Sequence, residues 1–368
     1  MTPSTLLTSL PRYISIAGPT ASGKSDVAMA YAAAHPGCEI VAVDAMQVYR
    51  GMSIGTAKPT MAERAGVPHH LIDILDVTQT ANVAAFQADA RRCLTQCRSR
   101  GVLPILVGGS ALYVHAILDE FDFPGTDPAV RGALEVELAQ SGPQTLHARL
   151  AGLAPEAAAG IQPGNGRRIV RALEVITLTG SYSAALPTWS YALAGVVQYG
   201  LELPRAEMDR RIEERVQHMW EAGFVEEVRG LVPRGLRQGR TASRALGYRQ
   251  ILDQLEGQCS EKEAVVATVA GTKRFARKQL GWFRRDPRIA WFQAGDGAGK
   301  GARSRKVGAI RIFLPFRLAL LAVVEAAPVV VLAPGVEHVS VEGRRVAGHS
   351  GGGVGAHGGD YVIGGEGQ

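Results

Sequence analysis

Gly18-Pro19-Thr20-Ala21-Ser22-Gly23-Lys24-Ser25 decides how this chain is read. The stretch satisfies G-x-x-x-x-G-K-[ST] at every fixed position and has the flanks that pattern needs. Tyr13 to Ala17 upstream is apolar and β-prone, while Asp26 to Ala34 downstream is helix-prone, so the order is strand, loop, helix. Glycines at the bends let successive backbone N–H groups face one concavity, and the helix N-terminus adds positive potential. Lys24 supplies a mobile ammonium, and Ser25 a hydroxyl placed for a Mg²⁺ that rides on phosphates. Gly18, Pro19, Thr20, Ala21, Ser22, Gly23, Lys24 and Ser25 are therefore expected to hold a diphosphate or nucleotide tail, with Ser25 as the metal contact.

Outward from the loop, Glu39 to Val43 reads as a strand ending at Asp44, and Leu103 to Val107 as another ending at Gly108-Gly109-Ser110. Val83 to Arg100 between them has helical spacing, with Val83, Phe86, Ala90 and Leu94 on one side. This β-α-β alternation predicts a mainly parallel sheet. Ligands of such sheets sit at the carboxyl ends of the strands, so Asp44 and Ser110 should converge on the phosphate loop. Residues 121–187 are helical in pattern but broken by Gln162-Pro163-Gly164-Asn165-Gly166, and they read as an insertion able to act as a lid. A strand from Val196 to Leu203 follows, then helices over Glu207 to Arg229 and Thr241 to Gln254, and a basic helix. The fold class expected is α/β, a P-loop NTPase-like parallel sheet flanked by helices, with a helical insertion domain. Its parts are a core of 1–120 and 189–297, an insertion of 121–188, and a Gly-rich tail of 298–368 whose composition predicts disorder.

At 368 residues and 46% hydrophobic, the chain can bury one large core or two modest ones. The formal charge is +6, and its placement matters more than its size. From Gly271 to Arg288, seven cations (Lys273, Arg274, Arg277, Lys278, Arg284, Arg285 and Arg288) face Asp286 alone, with Phe275, Trp282 and Phe283 interleaved. A cationic helix with aromatics suits the phosphates and splayed bases of RNA. Met1 to Pro11 lacks a basic segment ahead of an apolar one, and Leu318 to Val324 is far short of the roughly 20 residues that span a bilayer. No membrane association and a cytoplasmic location are the expectations. Cys38, Cys93, Cys97 and Cys259 are too few for a disulfide framework. Cys93 and Cys97, one helical turn apart, lack two further metal ligands nearby and read as paired buried thiols; His69-His70 reads as polar loop.

The run of further motifs is more specific than the phosphate loop. Asp44-Ala45-Met46-Gln47-Val48-Tyr49, Gly55-Thr56-Ala57-Lys58-Pro59, His69-His70-Leu71-Ile72-Asp73, Val107 to Tyr113, Arg171-Ala172-Leu173-Glu174-Val175 and Ala245-Leu246-Gly247-Tyr248-Arg249-Gln250 occur in that order. With Arg277-Lys278-Gln279 and Trp282-Phe283-Arg284, the chain from about Arg12 to Phe292 closely resembles the tRNA dimethylallyltransferases. That resemblance implies transfer of a dimethylallyl group from its diphosphate to N6 of the adenosine just 3′ of the anticodon in tRNA. The partners it implies are the tRNA anticodon stem-loop and dimethylallyl diphosphate, with no obligate protein partner evident.

An exocyclic adenine amine is a poor nucleophile, so a base that removes its proton as the C–N bond forms should help. Asp44 is the candidate, although an Asp at this place can also be a Mg²⁺ ligand, and both roles stay open. The departing diphosphate needs fixed donors, and the resemblance makes Arg215 one of them and places the Thr20 hydroxyl near the reacting centre. Contacts to tRNA are expected from Asp44, Ala45, Met46, Gln47, Ser110, Arg131, Arg167, Arg168, Arg171, Arg244, Gly247, Tyr248 and Arg249. Ala45 stands where many members of the family carry serine. A small-molecule kinase would use the same loop for ATP, but has no need of the RNA-suited motifs after Tyr113.

Overall fold

The computed structural model describes residues 11–121, 123–183 and 189–293. The Gly-rich tail expected beyond residue 298 lies outside them. In chain order the elements begin β1 (Tyr13–Ala17), α1 (Lys24–Ala34), β2 (Cys38–Ala42), α2 (Met61–Arg64), β3 (His69–His70), α3 (Val83–Ser99), β4 (Leu103–Gly108) and α4 (Ala111–Leu118). Next come α5 (Pro128–Leu153), α6 (Pro155–Ala159), α7 (Gly166–Thr179), β5 (Val196–Glu202), α8 (Arg205–Glu221) and α9 (Phe224–Leu231). The last are α10 (Tyr248–Leu255), α11 (Glu261–Phe283) and β6 (Ala290–Gln293).

The strands pair in the order β3-β2-β4-β1-β5-β6, and every pairing is parallel. β1 and β2 are buried along their whole length, as apolar runs are when helices cover both faces of a sheet. Alternation divides the core accordingly. Ile14, Ile16, Ile40 and Ile105 pack with Val27, Ala28 and Tyr31 of α1, while Val41, Leu106, Phe86 and Leu94 join a larger cluster with α3, α4, α9 and α10. Because β2, β4 and β1 are neighbours, the chain segments that leave their carboxyl ends lie side by side. Asp44, Gly109 and the phosphate loop are thereby brought to one edge.

Between α4 and β5 the chain builds α5, α6 and α7 around their own core of Leu134, Leu146, Leu150, Ile161, Ile169 and Leu173. It leaves and returns through a narrow neck. Glu120 N donates to Ser190 O at 2.9 Å and Ala192 N to Leu118 O at 2.9 Å, with Asp119 bridged to Tyr191 in antiparallel sense. Arg288, between α11 and β6, locks this neck. Its guanidinium reaches both oxygens of the buried Asp119 at 2.6 and 2.8 Å, holds Asp286 at 2.8 Å and stacks 3.8 Å from the Tyr191 ring.

Two predicted helices are each interrupted. The Glu207–Arg229 pattern breaks at Gly223 (φ 92°) into α8 and α9, and the Thr241–Gln254 pattern yields α10 only after Gly247 (φ 85°). Side-chain periodicity carries across such a bend; a left-handed backbone does not. His69-His70, read as loop, is instead the edge strand β3, paired with Ile40 and Val41 of β2.

Candidate active site

The phosphate loop is fixed by contacts that glycine alone permits. A β-carbon on Gly18 would meet Leu201 O at 2.4 Å, so any side chain there would push the loop off the end of β5. Ala21, Met208, Ile212, Val216 and Ala276 form a small apolar cluster that seats α8 and α11 directly on the loop. That packing delivers two polar side chains. Arg215 of α8 points its Nη1 at Thr20 Oγ1, 3.4 Å away. Gln279 of α11, buried, accepts from Thr20 N at 2.9 Å and donates to Gly109 O at 2.7 Å, tying the phosphate loop to the end of β4.

Lys24 opens α1 and donates to Pro19 O at 2.6 Å. Burial, reinforced by Arg215, pulls its ammonium down to about 7, against the opposing effects of Asp44 and Asp26. A cation so destabilised gains from an arriving anion. Ser25, next along α1, is exposed. Asp44 follows β2 and its Oδ1 accepts from Met46 N at 2.7 Å and Gln47 N at 3.2 Å. Those bonds fix the carboxylate and leave Oδ2 with no donor among the described residues. Burial pushes the Tyr113 phenol up to about 12, with Tyr49 and Asp44 adding to the shift and Arg167 opposing it. Arg167, from the first turn of α7, is thus within electrostatic reach of Tyr113.

The remaining predicted positions separate into groups. Ala45 and Met46 line the turn after Asp44 and are half-buried. Gln47 Nε2 donates to Thr56 O at 3.1 Å and Ala57 O at 3.3 Å, so only its oxygen side is uncommitted. Ser110 sits at the N-terminus of α4 with its hydroxyl unused as a cap. Arg167, Arg168 and Arg244 are exposed and have no ion-pair partner among the described residues, and Arg249 is exposed with Asp253 at 3.9 Å. Arg131 and Arg171 behave differently. Both close on the fully buried Glu174, which also accepts from Thr126 Oγ1 at 2.6 Å and Asp127 N at 3.2 Å. Burial alone would raise the Glu174 carboxyl, but these donors outweigh it and hold it down at about 2. Arg171 further donates to Gly125 O and Pro124 O, which makes the pair a brace inside the insertion.

Gly247 and Tyr248, expected as RNA contacts, are both buried. Tyr248 is 0% exposed, lies edge-on to Phe224 and donates to Glu227 Oε1 at 2.5 Å. Gly247 is buried against the same phenylalanine. Their motif is structural: Glu227 also accepts from Ser53 N at 3.0 Å and Ile54 N at 2.7 Å, and so holds the loop that backs Gln47. Lys273 of α11 pairs with Glu213, and beyond the helix Arg284 pairs with Glu202 and Arg288 with the neck, whereas Arg274, Arg277 and Lys278 of α11 remain exposed and unpaired among the described residues. Gln279 is the site residue missed. Its signal is a polar residue on the buried stripe Ala276, Gln279, Phe283.

A protein-family model described as IPP transferase matches residues 47–286. A tRNA dimethylallyltransferase from Kineococcus radiotolerans is 58% identical over 301 residues, spanning 80% of this chain and 94% of its own length. Another from Thermobifida fusca is 59% identical over 283 residues, spanning 76% and 88%. Among solved structures, a tRNA isopentenylpyrophosphate transferase from Bacillus halodurans is similar with 40% identity and a TM-score of 0.56, covering 77% of this chain and 90% of the other.

Proposed function

This chain belongs to the IPP transferase family, and from that premise we propose that it transfers a dimethylallyl group from dimethylallyl diphosphate to N6 of the adenosine 3′ of the anticodon in tRNA. The observation that carries this reading is the joint placement of Lys24, Arg215 and an Asp44 whose Oδ2 is free, around one glycine-lined loop. An anion grip and a proton acceptor on one cleft suit alkyl transfer with diphosphate as leaving group.

In the proposed step N6 attacks the allylic carbon, the C–O bond to diphosphate breaks, and the N6 proton passes to Asp44 Oδ2. The loop amides, Lys24 and Arg215 take up the charge developing on the diphosphate, and the Thr20 hydroxyl lies beside Arg215. The hard oxygen of Ser25, at the head of α1, suits Mg²⁺, which would neutralise diphosphate charge when bound. Gln47 and Ser110 flank the base, while Arg167, Arg168, Arg244 and Arg249, with Arg274, Arg277 and Lys278 of α11, hold RNA phosphates. We take residues 121–188 as the unit that closes over the RNA. Among the described residues no helix is long and apolar enough to cross a membrane.

Incubation with unmodified tRNA and labelled dimethylallyl diphosphate tests the reading: label in RNA is expected. Movement of a terminal phosphoryl group from ATP, with RNA left unaltered, would overturn it.

A further inference from the structure

The fold assembles a second cluster of chemically able side chains between α3 and the β3 edge of the sheet. Cys93 and Cys97 stand on α3 one turn apart, on the same face, and both are buried. His70 comes to them from β3, and the imidazole nitrogen and two sulfurs all lie within 4.8 Å of one another. The two-residue strand supplies the ligand that linear spacing could not.

We propose that His70, Cys93 and Cys97 form a binding site for one Zn²⁺ ion, independent of the transferase cleft. A tetrahedral zinc with bonds of about 2.3 Å to sulfur and 2.0–2.1 Å to nitrogen spaces its ligands roughly 3.5–3.8 Å apart. The observed cluster therefore needs only a small contraction. Two thiolates and a neutral imidazole balance the ion's charge, which lowers the cost of holding it inside. Thiolate and imidazole together favour zinc over the hard cations that suit a diphosphate.

The surroundings support the assignment. Glu39 Oε2 lies 2.7 Å from His70 Nε2, the outer contact that orients a metal-bound imidazole when its other nitrogen, Nδ1, is the ligand. Arg100 grips Glu39 with two bonds of 2.8 and 2.6 Å and keeps that carboxylate in place. His70 is 31% exposed at the sheet edge, so an ion has a route in and water can fill the fourth position. A bound ion would pin β3 to α3. β3 leads into Asp73, whose Oδ1 holds Lys58 at 2.6 Å, while Lys58 in turn donates to Tyr49 O at 2.7 Å behind the Asp44 turn.

Purified full-length protein, stripped with chelator and titrated with Zn²⁺ or Co²⁺ alone, tests this. One equivalent is expected to bind, with a thiolate-to-cobalt charge-transfer band in the Co²⁺ form. Cys93→Ser and Cys97→Ser should each abolish the band, Glu39→Gln should weaken affinity about 10-fold or more, and Cys259→Ser should change nothing. Should the cysteine variants fail to fold, the wild type still decides: no charge-transfer band on saturation with Co²⁺ overturns the site. A band that survives in the Cys93→Ser, Cys97→Ser double variant overturns it equally.

Discussion

Lys24 and Arg215 in the strand-end cleft have no ion-paired carboxylate among the described residues, whereas Arg131 and Arg171 in the insertion close on the buried Glu174. All four are cations on helices near a proposed RNA or diphosphate ligand, yet their employments differ. A cation given a buried counter-charge at 0% exposure is already neutralised and serves the fold. One kept short of a partner, with its ammonium pulled down to about 7 as in Lys24, is completed by an incoming anion. Arg167 and Arg168, in the same helix as Arg171 but facing solvent, follow the cleft's rule and not that of their neighbour.

The sharpest test of this division is at Asp44, the proposed proton acceptor. Asp44→Ala should lower kcat by about 10³-fold or more, with tRNA affinity unchanged within a few-fold, as single-turnover label transfer and filter binding would read. Comparable loss of tRNA binding would move Asp44 out of the chemistry. Glu174→Ala strikes the other region and should cost on the order of 3 kcal/mol in urea unfolding, because it strands two guanidiniums. The brace is also pH-sensitive. Since the folded carboxyl sits near 2 against an ordinary 4.5, its contribution is complete above about pH 4.5 and is lost as pH falls toward 2. Normal stability combined with poor tRNA affinity in the Glu174→Ala variant would collapse the distinction between the two kinds of arginine.

Gln279→Ala removes two hydrogen bonds, one of them fully buried, from the seam between the phosphate loop and β4. A loss of about 1–3 kcal/mol is expected, seen chiefly as a rise in KM for dimethylallyl diphosphate and not for tRNA. For Lys24 the expected effect is smaller. Affinity of the free protein for pyrophosphate should weaken by about tenfold from pH 6 to pH 8 as the ammonium loses its proton, and Lys24→Met should flatten that profile. The mildest changes belong to Arg167→Ala and Arg168→Ala. Each should raise KM for tRNA a few-fold and reduce the slope of log affinity against log salt by about 0.7–0.9, leaving the diphosphate KM untouched.

Those regions also differ in how far sequence reveals them. The phosphate loop, Asp44 and the strands around them are legible because each depends on local pattern: a glycine spacing, an apolar run, a polar residue at a strand end. β1 matches its predicted bounds, Tyr13 to Ala17, and β4 differs by one residue. What stays hidden depends on partners far along the chain. Arg131, Arg168 and Arg171 look alike until Glu174 is seen to be enclosed, and Tyr248 looks like a contact residue until Phe224 and Glu227 surround it. β3 is two residues long, too short for alternation to register, so the convergence of His70 on Cys93 and Cys97 has no linear trace.

The neck at Leu118–Glu120 and Ser190–Ala192 carries a consequence for descent. A stretch of chain whose two ends emerge side by side can be lengthened, trimmed or exchanged as a cassette without re-threading the sheet. Changes to that cassette then leave the spacing of the strand-end edge as it is. Arg288 sets the condition for such grafts: a transplanted segment must retain Asp119 and Tyr191, so that the Arg288 of the host core can fasten it.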